Sequence, residues 1–417
     1  MKITKATADF VKVKLIGPFG FKGKYVDHLW LPEITLYSGD CMGKGYAVQS
    51  VLWSDSKIFE QNTSAGGNTI MFAMTNYALK LIEGEDFASP EEMTGFLLPK
   101  VLEYGKTVSQ NPDMRSTFAL NALVGVDYAA WALFANLNGF KKFDDIIPDY
   151  AKSALSGRAS ALSRIPLVTY GLGDEQINDL IFKEKDYFLK IKIGNDPDGD
   201  KSQKKMVEWD KKRLEQIHNI AKQIDNPNTT TGFIPYYLDA NGRYETKGAL
   251  LDFLEHADKI GALERIIFIE EPFDEKNEID VKDIPVRIAG DESAHTLEDA
   301  KNLIDRGYGA IALKPIAKTQ SVSFQIAAYA KKVGVPVFCA DLTVPPNMLE
   351  WNKQFASRLD LLPTMKIGVI ESNGHQNYPD WDKWVKELPK EEKDSRTVTD
   401  GKFILSDSFY NTPFSMF

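Results

Sequence analysis

Cysteine is nearly absent from this chain: of 417 residues only Cys41 and Cys339 carry a thiol, far apart and without a partnering pattern. A disulfide scaffold is excluded, and a reducing compartment, by default the cytoplasm, is the expectation. Basic runs are equally scarce. The densest are Lys204-Lys205 and Lys211-Lys212-Arg213, in a chain with 50 Lys+Arg against 59 Asp+Glu and a formal charge of −9. That balance argues against phosphate-backbone binding, so nucleic acid is not an expected partner. No uninterrupted apolar run approaches the roughly 20 residues of a membrane span. Residues 1–10 are charged and alternating instead of setting an apolar core behind a basic stretch, so no secretion signal is read and a soluble chain is expected. A Gly-rich phosphate loop, a Ser-His-Asp arrangement, internal repeats and low-complexity segments are all missing.

What is present is an ordinary globular composition, 43% hydrophobic. A single core stops growing near roughly 250–300 residues, so this length predicts one large domain and a smaller one. Residues 1–140 read as an α+β domain. Strand-like alternation (Phe10-Val11-Lys12-Val13-Lys14-Leu15-Ile16) leads into a Gly/Pro-rich loop at 17–24, and apolar residues then recur at helical spacing near 71–81, 90–104 and 117–137. The last of these is apolar almost all round, as a helix buried between layers would be. From 155 to 378 the rhythm changes to short apolar strands, at 165–170, 187–193, 234–238, 266–269, 286–289, 310–313, 336–338 and 366–370, with amphipathic helices such as 204–224, 246–260, 296–306 and 319–332 between them. Eight strands with intervening helices predict an α/β fold, a (β/α)8 barrel whose active site lies where the strands end. Residues 379–417 lose this periodicity and are expected to form a tail packing back on the first domain.

Chemistry concentrates at the predicted strand ends. In Phe188-Leu189-Lys190-Ile191-Lys192-Ile193-Gly194, the period of two puts both lysines on one face and the aliphatics on the other, which belongs against the helices. Lys190 and Lys192 then point into the barrel mouth, where two like charges need carboxylates or a substrate to offset them. The next three strands each end in an acid: Asp239 in Asp239-Ala240-Asn241, Glu270 in Ile269-Glu270-Glu271-Pro272, and Asp291 in Gly290-Asp291-Glu292-Ser293. Their spacings, 31 and 21 residues, suit one strand–helix unit apiece. Three gathered carboxylates repel unless a cation sits among them, and hard oxygen ligands suit Mg²⁺. Lys314, in Leu313-Lys314-Pro315, lies 23 residues beyond Asp291 and faces Lys192 across the mouth. Such an arrangement can hold a substrate carboxylate on the cation, stabilise the enolate formed when the adjacent carbon loses a proton, and move that proton with two lysines. A base of this kind is expected to have a lowered pKa.

These five ordered motifs resemble the enolase superfamily, specifically its muconate-lactonizing-enzyme-like branch, and residues 1–140 with the 17–24 loop resemble that family's capping domain. The resemblance implies that Asp239, Glu270 and Asp291 bind Mg²⁺ and that Lys192 and Lys314 are the acid/base pair. Lys190 would steady the substrate carboxylate or tune Lys192, while Asn241 and Glu292 would orient ligands or lysines. It also implies a homo-oligomer acting on a small-molecule carboxylate. The mandelate-racemase branch would place a His at the end of the seventh strand, where this chain reads Val337-Phe338-Cys339-Ala340-Asp341. Dipeptide epimerases of the branch carry Asp-x-Asp at the eighth strand, whereas here Glu371-Ser372-Asn373 lacks the second acid, leaving Glu371 alone to meet a cationic substrate group. Cap loops at 18–29 and 51–59 offer Phe19, Phe21, Tyr25, His28 and Trp53, a composition favouring a partly apolar substrate.

Plainer readings compete at single positions. An acid after a strand usually caps a helix, as Asp291 could, Thr246 could cap one through its hydroxyl, and Asp341 is open between pocket contact and cap. Cys339 reads as a small packing residue. Asp196-Pro197-Asp198-Gly199-Asp200 resembles half a calcium loop but has Gly199 at position four and Val207 in place of the bidentate acid. His218 and His256 are expected at the surface, and His295 and His375 just past strand ends. The expected activity is racemisation, epimerisation or cycloisomerisation through a metal-stabilised enolate. The alternatives are a sugar-acid dehydratase or o-succinylbenzoate-synthase-like elimination, then a Schiff-base aldolase using Lys192 or Lys314, then a non-catalytic barrel.

Overall fold

The alternation at 10–16 is one stretch of a long strand, β1 (Lys5–Phe21), which forms an antiparallel hairpin with β2 (Lys24–Ser38); β3 (Cys41–Tyr46) pairs with the other side of β2. This computed structural model describes residues 1–21, 24–388 and 393–412. The β1–β2 register shifts between Lys14 and Phe19, around Gly17 and Pro18. Helices α1 (Val51–Ser54), α2 (Ser56–Ile82), α3 (Pro90–Ser109) and α4 (Ser116–Asn138) follow. Asp55 starts α2 by accepting from the Lys57 and Ile58 N–H groups, and Ser89 starts α3 with Pro90 in its first turn. By length and composition α4 could cross a membrane, yet 94% of its most apolar window is buried inside the protein. It lies directly on β3. A Cβ on Gly43 would sit 2.2 Å from the Leu133 nitrogen and one on Gly45 2.1 Å from the Gly125 oxygen, so only glycine permits this approach.

After α5 (Phe143–Ile146) the chain enters a second sheet, ordered β13-β14-β4-β12-β11-β10-β9-β8-β7-β6-β5. β4 (Ala161–Ile165) and β5 (Leu167–Val168) are one stave broken at Pro166: β4 pairs with β12 (Gly368–Glu371), β5 with β6 (Leu189–Lys192), and the barrel closes between them. Proline has no N–H to continue the ladder. That break also shifts the first strand from the expected 165–170 to 161–168. The remaining staves are β7 (Tyr236–Asp239), β8 (Ile266–Glu270), β9 (Ile288–Gly290), β10 (Ala310–Leu313) and β11 (Val337–Cys339), all parallel to their neighbours.

Between staves lie α6 (Asp174–Asn178), α7 (Gln203–Ala221), α8 (Lys247–Lys259), α9 (Leu297–Asp305), α10 (Pro315–Lys318), α11 (Gln320–Val333) and α12 (Pro346–Ala356). The connection at 271–287, between β8 and β9, contains no helix. Thr246 caps α8, and Thr296 with Asp299 forms a capping box on α9. The two domains are joined at α11: the buried Asp127 of α4 accepts from the Gln320 and Ser321 N–H groups at its N-terminus, and Trp131 Nε1 donates to Ser321 Oγ at 3.1 Å. Burial pushes the Asp127 carboxyl up to about 6.

Two expectations need correction. After α13 (Gly374–Asn377), α14 (Trp381–Glu387) borders a groove with β1 and β2 of the first domain, whereas the described tail residues beyond it, 393–412, pack on the barrel. Among them β13 (Val398–Thr399) pairs with β14 (Lys402–Ile404), which adds antiparallel to β4, and Tyr410 Oη donates to the Ala159 carbonyl at 2.7 Å. Because β5 leaves β4 at Pro166, β4 has an open edge, and β14 satisfies its backbone groups. Residues 389–392 and 413–417 of that tail lie outside the described residues. His218, expected at the surface, is buried with Nδ1 2.9 Å from Tyr236 Oη, because α7 turns that side chain onto the sheet.

Candidate active site

Parity along the staves builds the site. Phe188, Lys190 and Lys192 share the inward face of β6, while Leu189, Ile191 and Ile193 join the core beneath the helices. Lys192, Asp239, Glu270 and Glu371 are the last residues of β6, β7, β8 and β12, and Asp291 and Lys314 directly follow β9 and β10. All six are buried. Strand register sets Lys192 beside Asp239, and Asp239 beside Glu270.

The charges form one network. Lys190 Nζ lies 3.0 Å from Asp239, 3.3 Å from Glu270 and 3.1 Å from Glu371. Lys192 Nζ donates to Asp239 at 2.6 Å and to Asn241 Oδ1 at 2.5 Å, and Asn241 Nδ2 donates onward to Glu292 at 3.0 Å. Lys314 pairs with Asp291 and sits 4.6 Å above the Trp53 ring. Carboxylate oxygens of Glu270, Asp291 and Glu292 lie within 4.8 Å of one another. The trio expected to converge was Asp239, Glu270 and Asp291. Here the Asp239 carboxylate is turned to the two lysines, and Glu292 completes the close group.

Burial alone would lower Lys190 and Lys314, yet Asp239, Glu270 and Glu371 hold the first well above its ordinary value, and Asp291 and Glu270 raise the second. The lowered pKa expected of a base is therefore not seen at Lys314. Burial and the nearby Asp291 push Glu270 up to about 8, against the pull of Lys190. Burial also opposes ionisation of Asp291, but Lys314, Lys318 and Lys190 bring it below the usual carboxylate range. Asp239 is lowered likewise, by Lys190 and Lys192.

Several participants were not legible as site residues. Lys318, one turn after Lys314 on α10, donates to Asp291 Oδ1 at 3.2 Å and to the Asp291 carbonyl at 2.7 Å. The i,i+4 lysine spacing after a proline was its only signal. Glu271, the outward member of the acid pair, accepts from the Asp291 N–H at 2.6 Å and from Ser293 N–H at 2.8 Å, fixing the β9 loop. Asp210 of α7 accepts from Gly194 N–H at 2.8 Å and Tyr244 Oη at 2.8 Å, holding the loop behind Lys192; burial pushes its carboxyl up to about 7. Gly194 has φ +81, and a Cβ there would meet Arg243 Cβ at 2.7 Å.

Asp341 lines the cavity and ties loops together, accepting from the N–H groups of Leu342, Val344 and Asn373, so it is not a helix cap. Glu371 is occupied by Lys190 and the Asp341 N–H. His295 pairs with Glu275 at 3.2 Å and His375 lies 3.9 Å from Glu184; neither lines the cavity. Cys339 is wholly buried in the core. Lys205 neutralises Asp198 and Asp200 at 2.6 and 2.7 Å, leaving the 196–200 loop a surface turn. From the first domain, Phe19, Ser50 and Trp53 cover the mouth. Tyr25 is exposed, His28 pairs with Asp27 at 3.0 Å, and the Phe21 side chain lies outside the described residues.

Residues 184–363 match the family model described as enolase C-terminal domain-like. Solved structures share the fold over most of the chain. A member of the enolase superfamily from Listeria innocua is 17% identical, with 91% of this chain and 88% of that one covered and a TM-score of 0.63. A dipeptide epimerase from Cytophaga hutchinsonii complexed with Mg and D-Ala-L-Val is 16% identical over 91% and 89%, with a TM-score of 0.63. An L-talarate dehydratase from Polaromonas sp. JS666 complexed with Mg and L-glucarate is 15% identical over 97% and 92%, again at 0.63. No curated protein matches the sequence. Residues 184–363 are thus similar to the enolase C-terminal domain-like family, and the chain as a whole shares its fold with these enolase-superfamily structures.

Proposed function

We infer that the protein is a Mg²⁺-dependent enzyme that takes the α-proton of a carboxylate substrate at one lysine and returns a proton from the other, giving racemisation, epimerisation or cycloisomerisation. The observation that carries this reading is the placement of Lys192 and Lys314. They end staves four apart in an eight-stave barrel, on opposite sides of the mouth, with the acids of the intervening staves between them. Two bases facing each other across a planar carbon are what inversion at that carbon requires.

The donor set fits a hard cation. Asp239 and Glu270 already converge on one ammonium, that of Lys190, and Glu270, Asp291 and Glu292 gather their oxygens within 4.8 Å. Burial first, and then the neighbouring Asp291, raises the Glu270 carboxyl against the pull of Lys190, so ionising it in this group favours a nearby cation. Asp239, Glu270 and Asp291 would hold Mg²⁺, with Glu292 adjoining. Bound there, it supplies electrostatic stabilisation for charge developing on the substrate carboxylate. Were Asp291 and Glu270 to serve as ligands, their hold on Lys314 would weaken, which would favour the neutral amine a base requires. Asn241 orients Lys192, Lys190 stands where it can meet the substrate carboxylate, and Trp53 shields Lys314 from water.

Proton NMR in D₂O tests the reading, with pooled N-acylamino acids, dipeptides, hydroxy and sugar acids and muconate-like diacids. We expect an α-proton signal to fade in the presence of Mg²⁺, and to persist with EDTA or in Lys192→Ala. New vinyl or keto signals would assign elimination from the same intermediate. Borohydride trapping of a substrate adduct, or exchange that survives EDTA, would overturn the mechanism.

A further inference from the structure

Helix α1 is a single turn, and its N-cap Ser50 makes no side-chain cap, so its place is set by whatever ties it down. It carries the buried Trp53, whose ring lies 4.6 Å from Lys314 Nζ. The start of α4 supplies the ties. Arg115 N–H donates to Asp55 Oδ2 at 3.0 Å and Thr117 Oγ1 to the Ser54 carbonyl at 2.6 Å. Asn121 Oδ1 accepts from the Ser50 N–H at 2.9 Å and from Ser54 Oγ at 3.2 Å. Arg115 also reaches out of the first domain. Its Nη2 donates at 2.6 Å to Glu275, in the helix-free connection between β8 and β9, and the two side chains are 20% and 15% exposed, too sheltered for an ordinary surface pair. Glu275 is in turn 3.2 Å from Nε2 of His295, in the loop that Asp291 opens. Burial opposes ionisation of Glu275, but His295 and Arg115 bring its carboxyl down to about 2. The join of Asp127 to α11 lies twelve residues further along α4, about 18 Å away at 1.5 Å per residue. The end of α4 that holds α1 therefore meets the barrel through a charge pair of its own.

We propose that Arg115 is a positioning residue: through Glu275 it fixes α1 against the barrel and so sets Trp53 over Lys314. Both neighbours of Lys314, the Trp53 ring and Asp291, are then referred to one point, Glu275, from the first domain by way of Arg115 and from the barrel by way of His295. The positioning stands on this geometry alone. Its consequence for proton transfer at Lys314 rests on the proposed reaction.

The test uses protein labelled with 5-fluorotryptophan and needs neither Mg²⁺ nor substrate. Fluorine NMR identifies Trp53 as the resonance missing from Trp53→Phe, and Trp131, at the far join of α4, as the one missing from Trp131→Phe. Arg115→Met and Glu275→Gln should each move the Trp53 resonance and raise its H₂O/D₂O isotope shift at least twofold, with Trp131 unmoved. The double variant should add nothing to either single one, because both remove the same pair. Arg115→Lys, which keeps the charge, should recover most of the wild-type signal. Melting temperatures confirm folding, and Glu275→Gln carries the test should Arg115→Met unfold. A Trp53 resonance that stays put in the folded variants, additive shifts in the double variant, or equal movement of Trp131 would overturn the proposal. In α-proton exchange, Arg115→Met should slow the wild-type protein no more than Trp53→Ala does, and should slow Trp53→Ala no further; an additional loss there would also overturn it. Absence of exchange in the wild-type protein would defeat the proposed reaction and leave the positioning of Trp53 standing.

Discussion

Two levels of the barrel lumen, one step of the strand period apart, use the same inward positions for opposite purposes. At the lower level Phe268 and Phe338 stack with centroids 4.5 Å apart, and Tyr237 meets both edge-on at 4.9 and 5.2 Å. Two residues further along their strands, Phe188, Tyr237 and Phe268 give way to Lys190, Asp239 and Glu270. The lower level is dry and interlocked, as packing between aromatic faces and edges requires. The upper level concentrates charge that would be unaffordable without partners. Each needs the other: the aromatic floor excludes water from beneath the ions and so strengthens their attraction, and Lys190 Nζ rests 4.5 Å above the Tyr237 ring at the boundary.

Removing an upper-level lysine should produce the largest functional effect. Lys192→Ala is expected to slow Mg²⁺-dependent α-proton exchange by about 10²–10⁴-fold while unfolding cooperatively near the wild-type midpoint. A matching collapse of stability would mean that Lys192 is structural. Opening the lower level should show the reverse balance. Phe268→Ala should destabilise the protein by about 3–5 kcal/mol in urea titrations, and a loss under about 1 kcal/mol would show that the floor collapses around the gap.

A buried acid outside the lumen sharpens the contrast. Asp210 has its carboxyl raised to about 7 from an ordinary 3.8, so its stabilising contribution is complete below about 4 and fades as pH climbs through about 7. Asp210→Asn cannot ionise, and the fall in urea midpoint between pH 5 and pH 8 should shrink relative to wild type. An unchanged fall would assign it to other raised acids such as Asp127 and Asp186, each near 6. The smallest effect is expected at the lid. Trp53→Ala removes one cation–π contact, of the order of 0.5–2 kcal/mol, so kcat/KM should drop by a few-fold to about thirtyfold. A larger drop would give Trp53 a second role in closing the cavity.

Much of this contrast was legible in the sequence because strand periodicity is local. The alternation in Phe188-Leu189-Lys190-Ile191-Lys192 fixes which side chains share a face before any neighbour is known. The order of acids at successive strand ends likewise follows from short strand–helix spacing. The same local logic read the long helices at 90–104 and 117–137 within α3 and α4. It failed where an outcome depended on segments far apart. The β4 edge exists only because Pro166 hands the stave over to β6, so the docking of residues 402–404 on the barrel could not be read from their own pattern. His218 was misplaced because a helix face is polar or buried only by virtue of what packs on it.

The sequence by itself determined the barrel, the inward set Lys190, Lys192, Asp239, Glu270, Asp291 and Lys314, and their sides of the mouth, since each follows from period and order along the chain. Only the tertiary structure decided that Glu292 joins Glu270 and Asp291, that Lys318 reaches Asp291, and that Glu371 is spent on Lys190. That a larger cavity lies under the β1–β2 hairpin beside the small charged one was also decided there. Those features are distances between side chains carried on different staves and loops, set by closure of the barrel and the seating of the hairpin above it, and no periodicity along a single segment encodes them.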